Sequence, residues 1–225
     1  MSDLTAQLES GIQELGLDAS PQQQSKLLQY LELLLKWNKA FNLTAINNPA
    51  EIITRHLLDS LSLAPLLHGE TILDVGSGAG LPGIPLAIVF PHKQFVLLDS
   101  NGKKTRFLFQ AKLELGLENV EVENNRIEHY QTQRQIDIVT CRAFSSLAEA
   151  VKLTGPLLSE KCCLLAMKGA DPGPEISKIP AGFSLIHMSK IRVPGLDTTR
   201  HILEIKSDRG ESREPTDSTN QKQAR

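Results

Sequence analysis

Three cysteines in 225 residues are too few and too scattered for a disulfide framework. Cys162 and Cys163 are neighbours, Cys141 stands alone, and no Cys-x-x-Cys pair exists. The six histidines are spread along the chain without a His-x-x-x-His pair. Both local spacings of a structural zinc site are lacking, so no metal is expected. Long apolar runs are missing too: none approaches the ~20 residues of a membrane-crossing helix. The first residues, Met1 to Ser10, carry Asp3 and Glu9 and lack the basic start and apolar stretch of a secretory signal. A cytosolic protein without a membrane partner is the expectation. Positive charge is not in excess either, at 24 Lys+Arg against 26 Asp+Glu. That balance neither announces nor excludes a nucleic-acid partner, because a local basic patch suffices.

What is present is an ordinary globular composition with two successive periodicities. Residues 1–67 read as helical. Ser20-Pro21 is a start signal, and Leu27, Leu28, Leu31, Leu34 and Leu35 follow at helical spacing. Asn42–Asn48 breaks the pattern. A second helix from Pro49 carries Ile53, Leu57, Leu61 and Ala64 on one stripe. From Thr71 strands alternate with helices: Thr71–Val75, helix Pro82–Phe90, Gln94–Leu98, helix Lys103–Leu115, Val120–Glu123, Ile136–Cys141 and Lys161–Met167. This order predicts an α/β fold with a parallel sheet covered on both faces. Phe183–Val193 and His201–Lys206 have no room for a helix between them and predict an antiparallel pair at one edge. The expected organisation is a helical extension over 1–67, an α/β domain over 68–207 and a disordered polar tail over 208–225.

The sharpest local signal is Asp74-Val-Gly76-Ser-Gly78-Ala-Gly80-Leu-Pro-Gly83, between a strand and a helix. Glycines there permit positive φ and close approach of a ligand at the carboxyl end of the strand. Two registers fit. Gly78-x-Gly80-x-x-Gly83, with Asp99 further on, matches a dinucleotide fingerprint and an oxidoreductase. Asp74-x-Gly76-x-Gly78-x-Gly80 resembles the nucleoside loop of S-adenosylmethionine methyltransferases. The acid two residues before the first glycine and the antiparallel terminal pair favour the second register; a plain tight turn is the bland alternative. Asp99, ending the second strand, can accept from both hydroxyls of a ribose or cap the helix ahead of Lys103. Asn125-Arg126-Ile127-Glu128 stands where an adenine could be read, through the Ile127 backbone and the Glu128 carboxylate.

Several blocks in order then become specific. Trp37-Asn-Lys-Ala-Phe-Asn42-Leu-Thr44, Arg55-His56-Leu-Leu-Asp59-Ser60, the Asp74–Ala87 segment, Leu98-Asp99-Ser, Cys141-Arg142-Ala143-Phe144 and Lys168-Gly169 resemble the small-subunit ribosomal RNA (guanine-N7) methyltransferases, also called glucose-inhibited division protein B. The resemblance runs from about Leu27 to Lys206. It implies a class I methyltransferase fold, a Rossmann-like seven-stranded sheet with a helical extension. It also implies S-adenosylmethionine as cofactor and 16S ribosomal RNA, or a precursor of the small subunit, as partner of a monomer. Cofactor contacts would fall on Gly76, Leu81, Ile127, Glu128 and Arg142, beside Gly78, Gly80 and Asp99 from the loop itself. Catalytic-pocket or RNA contacts would fall on Arg126, Arg142, Lys168 and Arg200.

The chemistry is compatible with these residues. Guanine N7 has a lone pair and no proton, so attack on a sulfonium methyl needs alignment and no general base. Arg142 and Lys168 could read O6 and leave N7 free. Attack by an exocyclic amine usually accompanies an Asn/Asp-Pro-Pro-aromatic segment, which Cys141–Phe144 is not. A thiolate route through Cys141 competes with the commoner role of a small buried thiol. A non-catalytic nucleoside-binding or ribosome-associated module remains a third class. Arg55 and His56 each stand one helical turn from Asp59, and the three read as pocket-lining groups beside the cofactor, or as a helix-surface ion pair or a satisfied histidine. Lys168 and Arg200 could instead pair with Glu175 or Glu204. Trp37 and Phe41 read mainly as packing, and Lys103, Lys104 and Arg106 as phosphate contacts or a solvated face.

Overall fold

The structure, a computed structural model, describes residues 2–142, 144, 146–169 and 171–208. The expected tail therefore lies outside the described residues, apart from Asp208. Its N–H donates to the Gly182 carbonyl at 2.9 Å.

Helix α1 spans Ser2–Glu14 and α2 spans Pro21–Phe41. The start of α2 is a capping box: Ser20 Oγ accepts from the Gln23 N–H at 3.3 Å, and the Gln23 side chain accepts from the Ser20 N–H at 2.8 Å. Asn42, at φ +50°, ends the helix. The predicted single helix from Pro49 is composite. It comprises α3 (Pro49–Ile52), a π-helical turn over Ile53–Leu58 and α4 (Asp59–Leu61). The apolar stripe Ile53, Leu57 and Leu61 is buried as expected. The wide turn is what periodicity missed, since a single inserted residue barely disturbs an apolar stripe while re-aiming its polar neighbours.

Seven strands form one sheet: β1 (Thr71–Val75), β2 (Gln94–Leu98), β3 (Val120–Glu123), β4 (Ile138–Cys141), β5 (Cys163–Lys168), β6 (Phe183–Arg192) and β7 (Thr199–Ser207). Their order is β3-β2-β1-β4-β5-β7-β6. The first five are parallel, and β7 runs antiparallel to both β5 and β6. Strand β4 begins two residues later than predicted. Strand β5 reaches Lys168 and β7 starts at Thr199, so Lys168 pairs opposite His201, beside Arg200. The helices α5 (Gly83–Val89), α6 (Gly102–Leu115), α7 (Leu147–Thr154) and α8 (Gly173–Ile176) cover the faces. One core joins Leu8, Leu27 and Leu57 of the helical segment to Leu97, Phe107 and Leu165, while Val75, Val139, Val151 and Leu164 fill the other face. Trp37 stacks on Phe41 at 4.9 Å and on Phe107 at 5.9 Å, which makes packing its role.

Candidate functional site

The glycine loop leaves the carboxyl end of β1, and its three glycines do different work. Gly76 (φ +71°) would have nothing within 4 Å of an added Cβ. Gly78 (φ +60°) would meet only the Gly76 carbonyl and the Lys104 amine, at 3.7 and 3.9 Å. Both turn a bare face outward, where a ligand can approach closely. At Gly80 (φ +87°) a Cβ would strike Ile84 and Leu108, so that glycine serves packing. Leu81 is buried in the core, and its N–H donates to the Ser77 carbonyl at 3.0 Å. The helical segment supports this loop from behind: the Tyr30 hydroxyl donates to the Ala79 carbonyl at 2.5 Å.

Asp99 is buried and already accepts two backbone N–H groups, from Gly78 on Oδ2 at 2.9 Å and from Asn101 on Oδ1 at 2.8 Å. The capping alternative goes to its neighbour, because Asn101 caps α6 by accepting from the Lys103 N–H. Asp99 thus fixes the Gly78 turn. The Asn124 amide donates to the Asp99 carbonyl at 3.0 Å and ties the β3 loop to it. Ile127 is half-buried in a 3-10 turn over Ile127–His129, while Arg126 and Glu128 are exposed. Lys103 and Arg106 are also exposed, on the outer face of α6.

Sequence reasoning left Asp74 as a motif residue only. Its Oδ2 accepts from the Gly83 N–H at 3.0 Å, whereas Oδ1 is buried without a hydrogen-bond partner. Burial raises its carboxyl to about 7 against the opposing Gly83 hydrogen bond. An unpartnered buried carboxylate oxygen at the end of β1, where the glycine loop begins, fits a ligand that brings an N–H donor or a positive charge.

A cavity of about 270 Å³ gathers three of the sequence-predicted cations, and none of the glycine-loop residues lines it. Arg142, just past β4, Lys168, at the end of β5, and Arg200, in β7, all line it, with Arg55, His56 and Asp59 from the π turn and α4. Asp59 is 3% exposed. Its Oδ2 accepts from Arg142 at 3.2 Å and its Oδ1 from Arg200 Nε at 2.5 Å. Asp59 does not form the helix-surface pair with Arg55: its partners are Arg142, just past β4, and Arg200, in β7, while His56, buried against Thr44, has the partner that a satisfied histidine needs. Arg142 also donates to the Arg55 carbonyl at 3.2 Å. His56 is buried with Nε2 2.7 Å from Thr44 Oγ1, and burial with the adjacent Arg142 lowers it to about 4. Lys168 pairs with Glu175 at 2.8 Å, as one alternative anticipated, but Arg200 takes Asp59 and not Glu204. Arg126 stands apart from this cavity. The Cys141 thiol is buried and pushed up to about 12 by that burial, which removes the thiolate route. Of its motif neighbours, Ala143 lies outside the described residues.

The strand order and the antiparallel β7 depart from the all-parallel 3-2-1-4-5-6 arrangement of dinucleotide-binding sheets. Solved structures share the fold. TrmK of M. capricolum, in complex with the cofactor product S-adenosyl-homocysteine, matches with a TM-score of 0.51 at 15% identity over 69% of this chain and 71% of that one. A putative tRNA methyltransferase of Streptococcus pneumoniae matches with a TM-score of 0.51 at 17% identity over 71% of each chain. Much nearer relatives carry the name ribosomal RNA small subunit methyltransferase G. The Ectopseudomonas mendocina protein is 53% identical over 88% of this chain and 93% of its own. The Methylococcus capsulatus protein is 50% identical over 88% and 97%. The family model described as rRNA small subunit methyltransferase G matches residues 23–203, and the chain belongs to that family.

Proposed function

We propose that the chain methylates the N7 atom of a guanine in the decoding region of 16S ribosomal RNA, with S-adenosylmethionine as donor. The bound donor supplies an electrophilic methyl group on a sulfonium. The observation that carries a base-free reaction is that the acid–base groups of the pocket are already engaged. Asp59 holds two arginines, Glu175 holds Lys168, and His56 faces Thr44 and stays neutral above pH about 4. What remains is cationic and donating. Such a pocket can orient a guanine through O6 and neighbouring phosphates, while N7, which has no proton to lose, attacks in line.

In this reading Gly76 and Gly78 admit the nucleoside, with Gly80 and Leu81 shaping the loop behind them. Asp99 has lone pairs left for the ribose, and Ile127 with Glu128 borders the adenine. Asp74 Oδ1 takes the positive end of the donor. Arg142 stands between donor and guanine. Lys168 aligns the base and, with Arg200 and Arg126, carries RNA contacts. Residues 1–67 serve as an extension that completes the pocket of the 68–207 domain, and the enzyme acts as a monomer in the cytosol.

Mass mapping of small-subunit RNA tests this. RNA and subunits from cells lacking the protein are treated with it and S-adenosylmethionine. One new N7-methylguanine in the decoding region is expected. A methyl on an exocyclic amine or a pyrimidine would overturn the N7 assignment, and comparing naked RNA with subunits identifies the true substrate.

A further inference from the structure

Three metal-ligating side chains meet at the opposite end of β5 from the pocket. His68 lies between α4 and β1, Cys163 opens β5, and Glu204 sits in β7. One ligand atom from each belongs to a group whose members all lie within 4.8 Å of one another. His68 is exposed, Glu204 half-buried and Cys163 buried, so the cluster has one open side.

The geometry is specific. Cys163 Sγ lies 3.7 Å from His68 Nε2. A tetrahedral zinc, with Zn–S ~2.3 Å and Zn–N ~2.0–2.1 Å, holds such atoms ~3.5–3.6 Å apart. His68 Nδ1 is 3.1 Å from the Leu66 carbonyl. A carbonyl only accepts, so Nδ1 carries the ring proton and the Nε2 lone pair faces the sulfur. Metal-bound histidines are oriented by this same arrangement. A thiol–imidazole hydrogen bond would explain two members of the group but not the third. Glu204 adds a carboxylate, so the group offers one sulfur, one nitrogen and one oxygen donor within reach of a single ion.

We propose that His68, Cys163 and Glu204 bind one divalent transition metal of the zinc class, with water as the fourth ligand. One sulfur, one nitrogen and one oxygen suit zinc or cobalt, whereas magnesium and calcium take oxygen ligands. On binding, the metal–sulfur bond forms as the S–H bond breaks, and the proton passes to solvent. The site lies ~16 Å along β5 from Lys168, at ~3.3 Å per residue. It staples the segment before β1 to the β5–β7 pair and takes no part in methyl transfer.

Cobalt(II) titration of the metal-free full chain tests the site. A thiolate-to-cobalt charge-transfer band is expected, saturating at one cobalt per chain and displaced by zinc. The near-isosteric Cys163→Ser variant, its fold checked by circular dichroism, should lose the band. His68→Gln, at an exposed position, should weaken binding at least tenfold. Cys162→Ser should keep the band, because Cys162 belongs to the core on the other sheet face. Zinc at ~100-fold excess over its Kd should raise the wild-type Tm by about 5–10 °C and leave Cys163→Ser unmoved. Absence of the band, its survival in Cys163→Ser, or its loss in Cys162→Ser would overturn the proposal.

Discussion

Asp59 and Arg142 are 83 residues apart in the chain, yet their side chains meet at 3.2 Å. Arg200 closes on the other oxygen of the same carboxylate at 2.5 Å. One buried acid from the helical segment thereby sets the spacing of two cations carried by the sheet, one just past β4 and one in β7. Asp59→Asn should loosen both, because an amide offers one acceptor where the carboxylate offers two and carries no charge. Methyl transfer should fall at least tenfold. Stability should fall by about 1–3 kcal/mol, less than for a fully buried pair because the arginines keep part of their solvent. Donor affinity, measured by calorimetry, separates the roles. If Asp59 positions Arg142 against the donor, affinity drops as well. Unchanged affinity and unchanged turnover in the folded variant would reduce Asp59 to a structural pair.

The glycines predict a clean separation. Gly78→Ala should fold with a loss of about 1 kcal/mol from its left-handed backbone and bind S-adenosylhomocysteine much more weakly, since its methyl makes only ordinary contacts with the Gly76 carbonyl and the Lys104 amine and takes up space left for the ligand. Gly80→Ala should behave in the opposite sense. Its Cβ would meet Ile84 Cδ1 at 2.5 Å, so melting temperature should drop first and binding only in proportion to the folded fraction. Thermal melts with and without ligand distinguish the two. Equal behaviour of both variants would remove the ligand from the Gly78 face.

The sheet and the loop were legible because their signals are local. Strand-helix alternation, the Asp74–Gly83 glycines and the Ser20-Pro21 helix start each lie within a few consecutive residues. Boundaries drifted by two residues where pairing with neighbouring strands decides them, as at Ile138 and Thr199. The site was legible as a list of cations but not as a network. Nothing near Arg142 or Arg200 in sequence marks Asp59 as their partner, and the π turn that presents Asp59 leaves no trace in an apolar stripe. The Asp74 oxygen is similar: its isolation arises from how β1 and α5 pack, which no spacing records. His68, Cys163 and Glu204 belong to three separate segments, so the absence of a Cys-x-x-Cys motif could not exclude them.

Asp74 makes a pH prediction with a definite sign. Burial lifts its folded carboxyl from the ordinary carboxylate range near 3.8 to about 7. Between those values the unfolded chain holds fewer protons than the folded one, so Asp74 makes stability fall as pH rises from about 4 to about 7. The full shift corresponds to ~4 kcal/mol as a ceiling. Asp74→Asn should flatten that segment and raise the ligand-free melting temperature at pH 8. Donor affinity should climb with pH through about 7 in the wild type, because a positive group on the ligand favours the ionised acid. In the variant it should be weaker and flat. Calorimetric melts from pH 4 to 8, paired with S-adenosylhomocysteine titrations, check both halves. A variant that keeps the wild-type pH slope would show that another group causes it.

Lys168 and Arg200 provide the test of the RNA side, and their different partners sharpen it. Lys168 is held by Glu175, which also accepts from the Leu147 N–H at 2.5 Å and is half-exposed to solvent at 33%. Arg200 is held by the buried Asp59. A phosphate can compete with the half-exposed Glu175 more readily than with the buried Asp59, because solvent screens the first pair more. Glu175→Gln should therefore tighten RNA binding by freeing Lys168, with a small loss of stability. Lys168→Ala should weaken RNA binding and reduce the log–log salt slope by somewhat under ~1, leaving donor affinity intact. Arg200→Ala should do the same to RNA, but it also strips one partner from Asp59, so its melting temperature should fall further than that of Lys168→Ala. Arg142→Ala should lower donor affinity and turnover together. RNA binding at two salt concentrations, donor calorimetry and thermal melts for these four variants separate the outcomes. If Lys168→Ala and Arg200→Ala bind RNA with the wild-type affinity and salt slope, both cations are structural, and the RNA lies elsewhere on the protein.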